Sequence, residues 1–426
     1  MPIPSPSLDL RRTVAVGLAL VLAVVVAPSL AAAQQLYDFG TGFGRATAVA
    51  GDQLLVAQPQ NVLRAGEVYV FDPDGGAWTA AQTLTASDAE PSDGFGRALA
   101  GRGDWMVVGA PRSAEGAGTA YLFRRGADGW EERARLEPTE GAAALGGAVA
   151  VGDGFVAMVE QGPDGEEVRV LRLDGDGAPV PDGVLSGRAD DDRFGGALAF
   201  AADDALAVCG ADAEGKTFVE LYVRGDGVWT AAGRAFPGAQ FSSTGGLLSQ
   251  DPYKECALSA SGDRVAVGTP LGGQGRGTVT TFRLDAGADA GLVEEAELAA
   301  PAGAMGGFGT SVALAGDVAW VGAPNAGGQM GAVARFQHGA DGWSTGEVLE
   351  GPGTDFMPVF GLSLAASDEV AVVGSPGDAY GAGVAVAFER EAGSWVQALV
   401  SLRQAWQNLS AATGEILEPF ADKSYM

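Results

Sequence analysis

The sequence is poor in the residues on which many catalytic and metal sites depend. Among 426 residues it has one histidine, His338, and two cysteines, Cys209 and Cys256. These are too few for a zinc site of the usual Cys/His composition. A nucleophilic triad would have to use His338, which we interpret instead as an exposed residue of a hairpin turn. The sequence therefore leads us to name no catalytic residue and no cofactor.

Basic residues are scarce as well. The chain has 26 Lys and Arg against 54 Asp and Glu, which gives a formal charge of −28. Proteins that bind nucleic acid neutralise phosphates with Lys and Arg, so we expect no nucleic-acid partner. The simplest interpretation of the acidity is solubility, and a surface that attracts cations is the alternative.

Long apolar runs are missing after the N-terminus. Arg11 and Arg12 precede an apolar run at 13–26, and Ala31 and Ala33 stand before Gln34. A run of this length is too short to cross a bilayer, and small residues at this spacing are typical of a signal-peptidase site. We predict that residues 1–33 are a signal peptide and that the mature chain is secreted, periplasmic or on the cell surface, with no membrane span.

Glycine is abundant, and a motif of about fifty residues recurs along the chain. The chain has 67 glycines without a Gly-X-Y period, which indicates many tight turns. A Phe-Gly pair begins five copies of the motif: Phe43-Gly44, Phe95-Gly96, Phe194-Gly195, Phe308-Gly309 and Phe360-Gly361. Two weaker copies begin near Leu145 and Lys254.

Each copy continues in the same order. A segment of small residues is followed by an apolar run that ends in Gly-x-Pro or a variant of it. The clearest examples pair Gly109 with Pro111, Gly322 with Pro324 and Gly374 with Pro376. An alternating run and a more polar last segment follow, with turn residues between them, so each copy predicts four short strands. Seven copies predict an all-β, seven-bladed β-propeller of four-stranded antiparallel blades.

The composition of the four segments fits this architecture. Small residues suit first strands that crowd around a central channel. Apolar second and third segments suit strands that are covered on both faces by neighbouring blades. The polar last segment suits the outer edge of the ring.

These signatures resemble the FG-GAP repeat family, and the resemblance covers residues 36–402. We therefore assign 34–402 to the propeller and 403–426 to a C-terminal tail that is either a short helix or disordered. Residues 34–39 resemble the end of a fourth strand, and the sequence leaves open whether they add to the last blade. The family includes the heads of integrin α chains and many exported bacterial proteins. The resemblance implies a binding or adhesion module for a surface protein or polysaccharide. The alternative is an extracellular glycan hydrolase or lyase that uses acidic residues at the propeller face.

The integrin relatives also bind calcium between some strands, and this chain departs from their Asp-rich loop pattern. Its nearest approaches are Asp174, Asp176 and Asp182 in one stretch and Asp72 with Asp74 in another; Asp190–Asp192 form a third acidic loop. None has the full alternation of oxygen ligands that calcium requires, so we favour solvated turns over a calcium site.

A phosphate-loop pattern, Gly-x-x-x-x-Gly-Lys-Thr, is formed by Gly210, Gly215, Lys216 and Thr217. In the repeat alignment it falls between a second and a third strand. A working phosphate loop is followed by a helix whose N-terminus holds the phosphates, so we reject the match.

The cysteines and tryptophans occupy defined places in the repeat. Cys209 ends a second strand and Cys256 precedes the next first strand, which places both at the same rim of neighbouring blades; either a disulfide or two buried thiols is compatible with this. Tryptophan recurs at the start of the last strand, at Trp78, Trp130, Trp229, Trp343 and Trp395. We favour packing between blades over sugar binding for these side chains.

Overall fold

The computed structural model describes most of the repeat region. The described residues are 42–59, 65–174, 176–202, 204–237, 256–285, 287–288, 291–351, 358–377, 383–391 and 393–399. All of them belong to one compact unit, Gly40–Met426. The predicted signal peptide, residues 34–39, Lys254 and the C-terminal tail lie outside the described residues.

Seven antiparallel sheets follow one another along the chain, and the predicted all-β, seven-bladed propeller is confirmed. In six blades the four strands are paired in chain order, and in blade 6 two short strands share the fourth position, both paired with the third strand. The first strands are β1 (Ala46–Ala50), β5 (Ala98–Arg102), β9 (Val149–Val151), β13 (Asp191–Ala202), β17 (Ala257–Ser261), β21 (Ser311–Ala315) and β26 (Ser363–Ala366). The second strands are β2 (Gln53–Gln58), β6 (Trp105–Ala110), β10 (Phe155–Gly162), β14 (Ala205–Asp212), β18 (Arg264–Thr269), β22 (Val318–Ala323) and β27 (Val370–Ser375).

The outer half of each blade is built in the same way. The third strands are β3 (Glu67–Asp74), β7 (Thr119–Gly126), β11 (Gly165–Leu173), β15 (Thr217–Gly225), β19 (Thr278–Leu284), β23 (Ala332–Gly339) and β28 (Val384–Glu391). The outermost strands are β4 (Ala77–Leu84), β8 (Gly129–Leu136), β12 (Pro179–Ser186), β16 (Val228–Ala235), β20 (Leu292–Ala299), the pair β24 (Gly342–Trp343) and β25 (Glu347–Glu350), and β29 (Ser394–Leu399). Three short helical segments lie between second and third strands: Ala114–Gly116, Gly272–Gly275 and Ala326–Gln329.

Burial follows the predicted order of strands. The second strand of blade 6, VAWVGA, is buried throughout, because both of its faces meet a neighbouring blade. The outermost strand β4 has only two buried positions, Trp78 and Leu84. Among the described residues, no helix combines the length and hydrophobicity that a bilayer crossing requires.

The two ends of the ring differ in their connections. The turns between first and second strands, and most of those between third and fourth strands, contain two or three residues. In the part of the chain that the structure describes, the connections between blades and those between second and third strands emerge at the opposite end. We call that end the loop-rich face and the other end the turn face.

At four junctions, adjacent blades touch through a pair of glycines, one from each repeat signature. Gly374 of blade 7 faces Gly44 of blade 1, and a Cβ atom at Gly374 would overlap the carbonyl oxygen of Gly44. Gly44 has a φ of +86°, a conformation that side chains other than glycine rarely adopt. The same contact recurs in the pairs Gly109–Gly146, Gly268–Gly309 and Gly322–Gly361. The glycines of the Phe-Gly and Gly-x-Pro motifs therefore allow the backbones of adjacent blades to approach each other closely.

The prolines of the Gly-x-Pro signature stand where second strands end. Pro111 directly follows β6, Pro324 directly follows β22 and Pro376 directly follows β27. All three prolines are buried. A proline has no N–H group to donate to a neighbouring strand, so it is suited to the residue at which the ladder stops. These prolines therefore have a structural place in the repeat, at the loop-rich end of each second strand.

The proline of blade 7 also takes part in closing the ring. A Cβ atom at Gly42 would lie 2.2 Å from the carbonyl oxygen of Pro376. The chain that enters blade 1 is therefore packed against the turn that follows β27. Here too, a glycine allows two backbones to approach each other.

The phenylalanine of each Phe-Gly pair fills the space beside the glycine contact. Phe43 lies edge-on to Tyr69 and Phe71, with ring centroids 5.3 and 6.0 Å apart, and shares a core with Val370 of blade 7. Phe95 has the same relation to Tyr121 and Phe123. Each phenylalanine thus seals the junction between its own blade and the preceding one.

The junction of blades 4 and 5 is built differently. Cys209 pairs with Ala197 as Gly109 pairs with Ala98, so Cys209 occupies the position of the Gly-x-Pro glycine. A disulfide joins Cys209 to Cys256 of blade 5, with Cα atoms 6.6 Å apart. A covalent bond here stands where four other junctions have a glycine–glycine contact.

Two details depart from the regular repeat. Strand β13 begins at Asp191, before the Phe-Gly pair, because Arg234 of the same blade binds the Asp191 carboxylate with N–O distances of 2.6 and 2.8 Å. The outermost strand of blade 6 is interrupted between β24 and β25. There Ser344 exchanges hydrogen bonds with the Gln337 backbone and replaces the regular ladder.

Candidate functional site

The seven first strands enclose a central channel with a cavity volume of about 690 Å³. Its walls are mostly alanine, valine and leucine, with hydroxyl groups from residues such as Thr47, Ser259 and Ser363. Thr47 and Ser363 are hydrogen-bonded to each other across the junction of blades 1 and 7, at 3.3 Å. The channel is therefore a small-residue passage with scattered hydroxyl groups.

Charge in the channel is sparse. The charged lining residues are Arg97 and Arg102 of blade 2 and Asp368 of blade 7. Glycoside hydrolysis of the usual kind needs two carboxyl groups about 5–9.5 Å apart. The described lining brings one carboxylate to the channel, so its geometry does not resemble that arrangement.

The loop-rich face has an acidic sector on blades 2 to 4. Its connections are 85–97, 111–118, 137–148, 163–164, 187–190 and 213–216. The basic residues within them are Arg97, Arg112, Arg188 and Lys216. The acidic residues within them are Asp88, Glu90, Asp93, Glu115, Glu137, Glu140, Asp164, Asp190 and Glu214. All of these carboxylates except Asp93 belong to exposed residues, so this sector carries a negative potential.

On blades 5 and 6 the loop-rich face is nearly uncharged and partly apolar. Three of their connections that the structure describes, 270–277, 300–310 and 324–331, contain a single charged residue, Arg276. Three large apolar side chains are exposed there: Leu271 at 41%, Met305 at 48% and Met330 at 40%. We call these three residues the apolar sector.

The candidate calcium ligands do not converge. The Asp174 carboxylate accepts hydrogen bonds from the backbone N–H groups of Asp176 and Ala178, at 3.0 and 2.8 Å. Asp182 lies in β12 and binds Arg224 through two hydrogen bonds of 2.7 and 2.9 Å. Over the part of the chain that the structure describes, no three His, Cys, Asp or Glu side chains are grouped as a metal site requires.

Asp182 has a structural role instead. Trp229 Nε1 also donates to its carboxylate, at 2.7 Å, so the outermost strands of blades 3 and 4 are joined through this one side chain. The hydrogen bonds from Arg224, opposed by burial and aided by Trp229, hold the pKa of Asp182 below its usual value.

The phosphate-loop match lies on a hairpin. Gly210 is in β14 and Thr217 begins β15, so a strand rather than a helix follows the lysine. The Asp212 carboxylate accepts the N–H groups of Glu214 and Lys216, at 3.0 and 2.9 Å. These donors, which a phosphate would need, are already used within the turn.

The recurring tryptophans reach back to the preceding blade. Trp130 donates from Nε1 to Gln53 Oε1 of blade 1 at 2.7 Å, and Trp395 lies edge-on to Trp320 of blade 6 at 4.9 Å. Trp78 packs with residues of blade 7, as the packing interpretation requires.

His338 lies at the outer edge between blades 5 and 6. Its Nε2 is 3.3 Å from Glu295, its ring is 5.1 Å from that of Trp343, and Arg264 lies 3.3 Å from Nδ1. Burial acts to raise the pKa of Glu295, but Arg264 and His338 bring it below its usual value. His338 is thus part of a polar contact between blades and is half-buried rather than exposed.

Sequence reasoning missed two features, of which the first is visible in the sequence itself. Gly342–Gly346 fits the Gly-x-Ser-x-Gly pattern of serine hydrolases, but Ser344 Oγ accepts the Gln337 N–H and no strand-to-helix elbow surrounds it. In blade 4, Arg234 is buried against Asp191 and Glu220. Its partners are 43 and 14 residues away in the chain. The one indication of this cluster in the sequence is an arginine in an outermost strand.

Comparison with known protein families gives a match to one of the repeats. Residues 78–123, which run from the outermost strand of blade 1 to the third strand of blade 2, match the family model described as FG-GAP repeat. The chain is a seven-bladed propeller with an FG-GAP repeat. No curated protein matches the sequence of this chain.

Two solved propeller structures of low sequence identity are similar to this chain. A candidate 6-phosphogluconolactonase from Bacteroides uniformis is 14% identical with a TM-score of 0.52, over 83% of this chain and 98% of that one. The propeller domain of the Trilobed protease from Pyrococcus furiosus is 9% identical with a TM-score of 0.47, over 84% and 97%. At these identities the likeness concerns the fold only.

Proposed function

We propose that this FG-GAP propeller is an exported, non-enzymatic binding module that recognises a surface protein or a polysaccharide with its loop-rich face. One observation carries the proposal: among the described residues, the connections between blades and those between second and third strands lie on a single face, whereas only 174–178 and 285–291 exceed three residues on the other. The Phe-Gly and Gly-x-Pro residues pack between blades and hold the ring together. The connections are not needed for this packing, so their sequences and lengths can vary. Recognition sites commonly consist of such loops on a rigid scaffold.

The division of roles between the two ends supports the same conclusion. The turn face consists largely of two- and three-residue turns that offer little variable surface. The loop-rich face carries both an acidic sector and an exposed apolar sector, and such contrast is typical of recognition surfaces.

Two triple variants test the location of binding. Glu115, Glu140 and Glu214 are exposed on the loop-rich face, and Asp128, Asp153 and Asp341 are exposed on the turn face. The chain secreted by an expression host would be measured against a panel of polysaccharides and extracellular proteins. We expect E115K/E140K/E214K to weaken binding of a panel member at least tenfold and D128K/D153K/D341K to leave it unchanged.

The same samples test the other parts of the proposal. Mass spectrometry of the secreted chain should find an N-terminus at Gln34, and a chain retained in the cytoplasm would contradict export. Polysaccharides incubated with the protein should keep their length. Release of new reducing ends would favour the hydrolase or lyase alternative.

A further inference from the structure

The disulfide between blades 4 and 5 lies beside the central channel. Cys256 lines the channel and directly precedes β17, so it stands at the loop-rich mouth, where first strands begin. Cys256 keeps 6% of its surface exposed, whereas Cys209, in the second strand of blade 4, is completely buried. The two sulfur atoms of the bond therefore have different surroundings. One belongs to a residue of the channel wall and the other to a residue inside the junction.

A glycine leaves space beside the Cys256 sulfur. Gly196 follows the Phe-Gly pair of blade 4 and also lines the channel. A Cβ atom on Gly196 would lie 3.5 Å from Cys256 Sγ and 3.7 Å from the Cys209 carbonyl oxygen. Apart from its neighbours in the chain, these are the only atoms of the described residues within 4 Å of that position. A longer side chain at 196 would therefore stand against the sulfur, and glycine keeps this approach from the channel open.

The other blades differ at this position, which directly follows the Phe-Gly pair or its equivalent. Four of them carry side chains there: Arg45, Arg97, Thr310 and Leu362. Blade 3 has Gly147, at a junction without cysteine. In blade 5 the position is taken by Cys256 itself, because the next residue, Ala257, pairs with Gly268 of the Gly-x-Pro signature. The position thus accepts side chains of several sizes, and the glycine of blade 4 stands next to the disulfide.

The different surroundings of the two sulfur atoms determine how the bond can react. Thiol–disulfide exchange needs a thiolate to reach one sulfur. In the channel, the sulfur of a small thiolate would bond to Cys256 Sγ while the S–S bond breaks and its electron pair leaves with Cys209 Sγ. Cys209 lies among Val219 and Leu221, an apolar environment that disfavours a thiolate, so it takes up the proton that the reagent released. A second thiol then displaces Cys256, which is protonated in turn, and the reagent leaves as its own disulfide, having supplied both electrons.

We propose that Cys256 is a modification site for small thiols that enter the channel, and that this exchange releases and restores the covalent link between blades 4 and 5 in the folded chain. The channel cavity of about 690 Å³ has the volume of a small-ligand site, so it suits a low-molecular-weight thiol and excludes a folded reductase. The inference concerns a junction rather than the loop-rich face, so it stands or fails independently of the proposed function.

The test identifies the sulfur that reacts and the route by which the reagent arrives. The secreted chain is incubated with glutathione and quenched with acid at early times, and mass spectrometry locates the adduct on the Cys256 or the Cys209 peptide. Gly196→Leu is the variant that covers the sulfur, and Leu362 shows that the position accepts leucine. Gly147→Leu is the matched control in blade 3. Thermal unfolding first establishes that both variants fold; Gly196→Ala, whose Cβ makes only ordinary contacts, replaces Gly196→Leu if that variant does not.

We expect glutathione to be found on Cys256 in the folded chain. Gly196→Leu should slow the reaction at least tenfold and Gly196→Ala by less, whereas Gly147→Leu should react at the rate of the unchanged protein. A thiol coupled to a large polymer should react at least tenfold more slowly than glutathione. Adducts shared equally by Cys209 and Cys256, or equal rates in Gly196→Leu and Gly147→Leu, would overturn the proposal, because reaction through the unfolded chain gives both results.

Hydrogen exchange tests whether the junction responds to the reaction. Exchange at the backbone amides of β17 should become at least tenfold faster after reduction, since that strand loses its covalent link to blade 4. Strand β2 of blade 1, which lies outside this junction, should exchange at the same rate before and after reduction. Equal exchange of β17 in the oxidised and the reduced chain would overturn the claim that this link holds the junction.

Discussion

Gly374 and Gly44, 330 residues apart in the chain, are in backbone contact where the last blade meets the first. The Ser363 hydroxyl donates to the same Gly44 carbonyl at 2.8 Å. This junction has no covalent continuity along the chain, so close packing of the two backbones is a principal means of holding it together.

Substitution at this junction should destabilise the protein. Gly374→Ala places a methyl group against the Gly44 carbonyl and the Ser363 hydroxyl, and overpacking of this kind typically lowers the free energy of unfolding by about 1–3 kcal/mol. Gly339→Ala is the matched control, because a Cβ there would have no atom within 4 Å. Urea unfolding measures both; equal stabilities would contradict the role assigned to the glycine contact.

The disulfide should contribute to stability in proportion to the loop it closes. Cys209 and Cys256 are 47 residues apart, and a bridge over such a loop stabilises a fold by about 2–4 kcal/mol. Unfolding with and without dithiothreitol measures the effect. C209A/C256A should be less stable and insensitive to the reductant. An unchanged midpoint in the reduced native protein would show that the bridge contributes nothing.

The Asp182–Arg224 pair should make stability depend on pH at the acidic end. The pKa of Asp182 is lower in the folded chain than in the unfolded one, so the pair stabilises the fold above about pH 4 and the contribution is lost as pH falls through the folded value. Asp182→Asn should lower the free energy of unfolding by about 1.5–3 kcal/mol at pH 7 and by less under acid. Asp176→Asn, on an exposed turn, should change neither; a deficit that stays constant with pH would argue against the ion pair.

Calcium should leave the stability of the chain unchanged. The carboxylates nearest to the calcium pattern are engaged, Asp174 by its own turn and Asp182 by Arg224 and Trp229. A ligand that binds only the folded state raises its melting temperature. Thermal unfolding with calcium and then with excess chelator is therefore expected to give one midpoint. A clear calcium-dependent rise would revive metal-dependent adhesion.

The fold could be predicted because each repeat contains short sequence motifs that can be recognised without knowledge of long-range contacts. Phe-Gly at Phe95 and Gly-x-Pro from Gly109 to Pro111 recur with the same spacing, and the number of copies sets the number of blades. The physical role of the glycines was not predictable, because their contact joins residues of different blades. Even so, the missing Phe-Gly before Cys256 coincides with the one junction that uses a disulfide.

The candidate site was less accessible to sequence reasoning. Asp182 looked like a potential metal ligand because its partner, Arg224, is 42 residues away and carries no local signal. The contrast between the two sectors is present in the sequence, but it acquires meaning only when strand order places the connections on one face. The periodicity of the sequence alone predicts neither which distant side chains pair nor which connections lie on the same face.

The disulfide between Cys209 and Cys256 also affects the mechanical resistance of the ring. A load applied through a bound partner on blades 4 and 5 is carried across their junction by a covalent link. The junction of blades 7 and 1 is held by non-covalent contacts alone: glycine packing, hydroxyl groups and the apolar core around Phe43. The ring should therefore open mechanically at its chain ends first, with blades 4 and 5 remaining together as a pair until the bond is reduced.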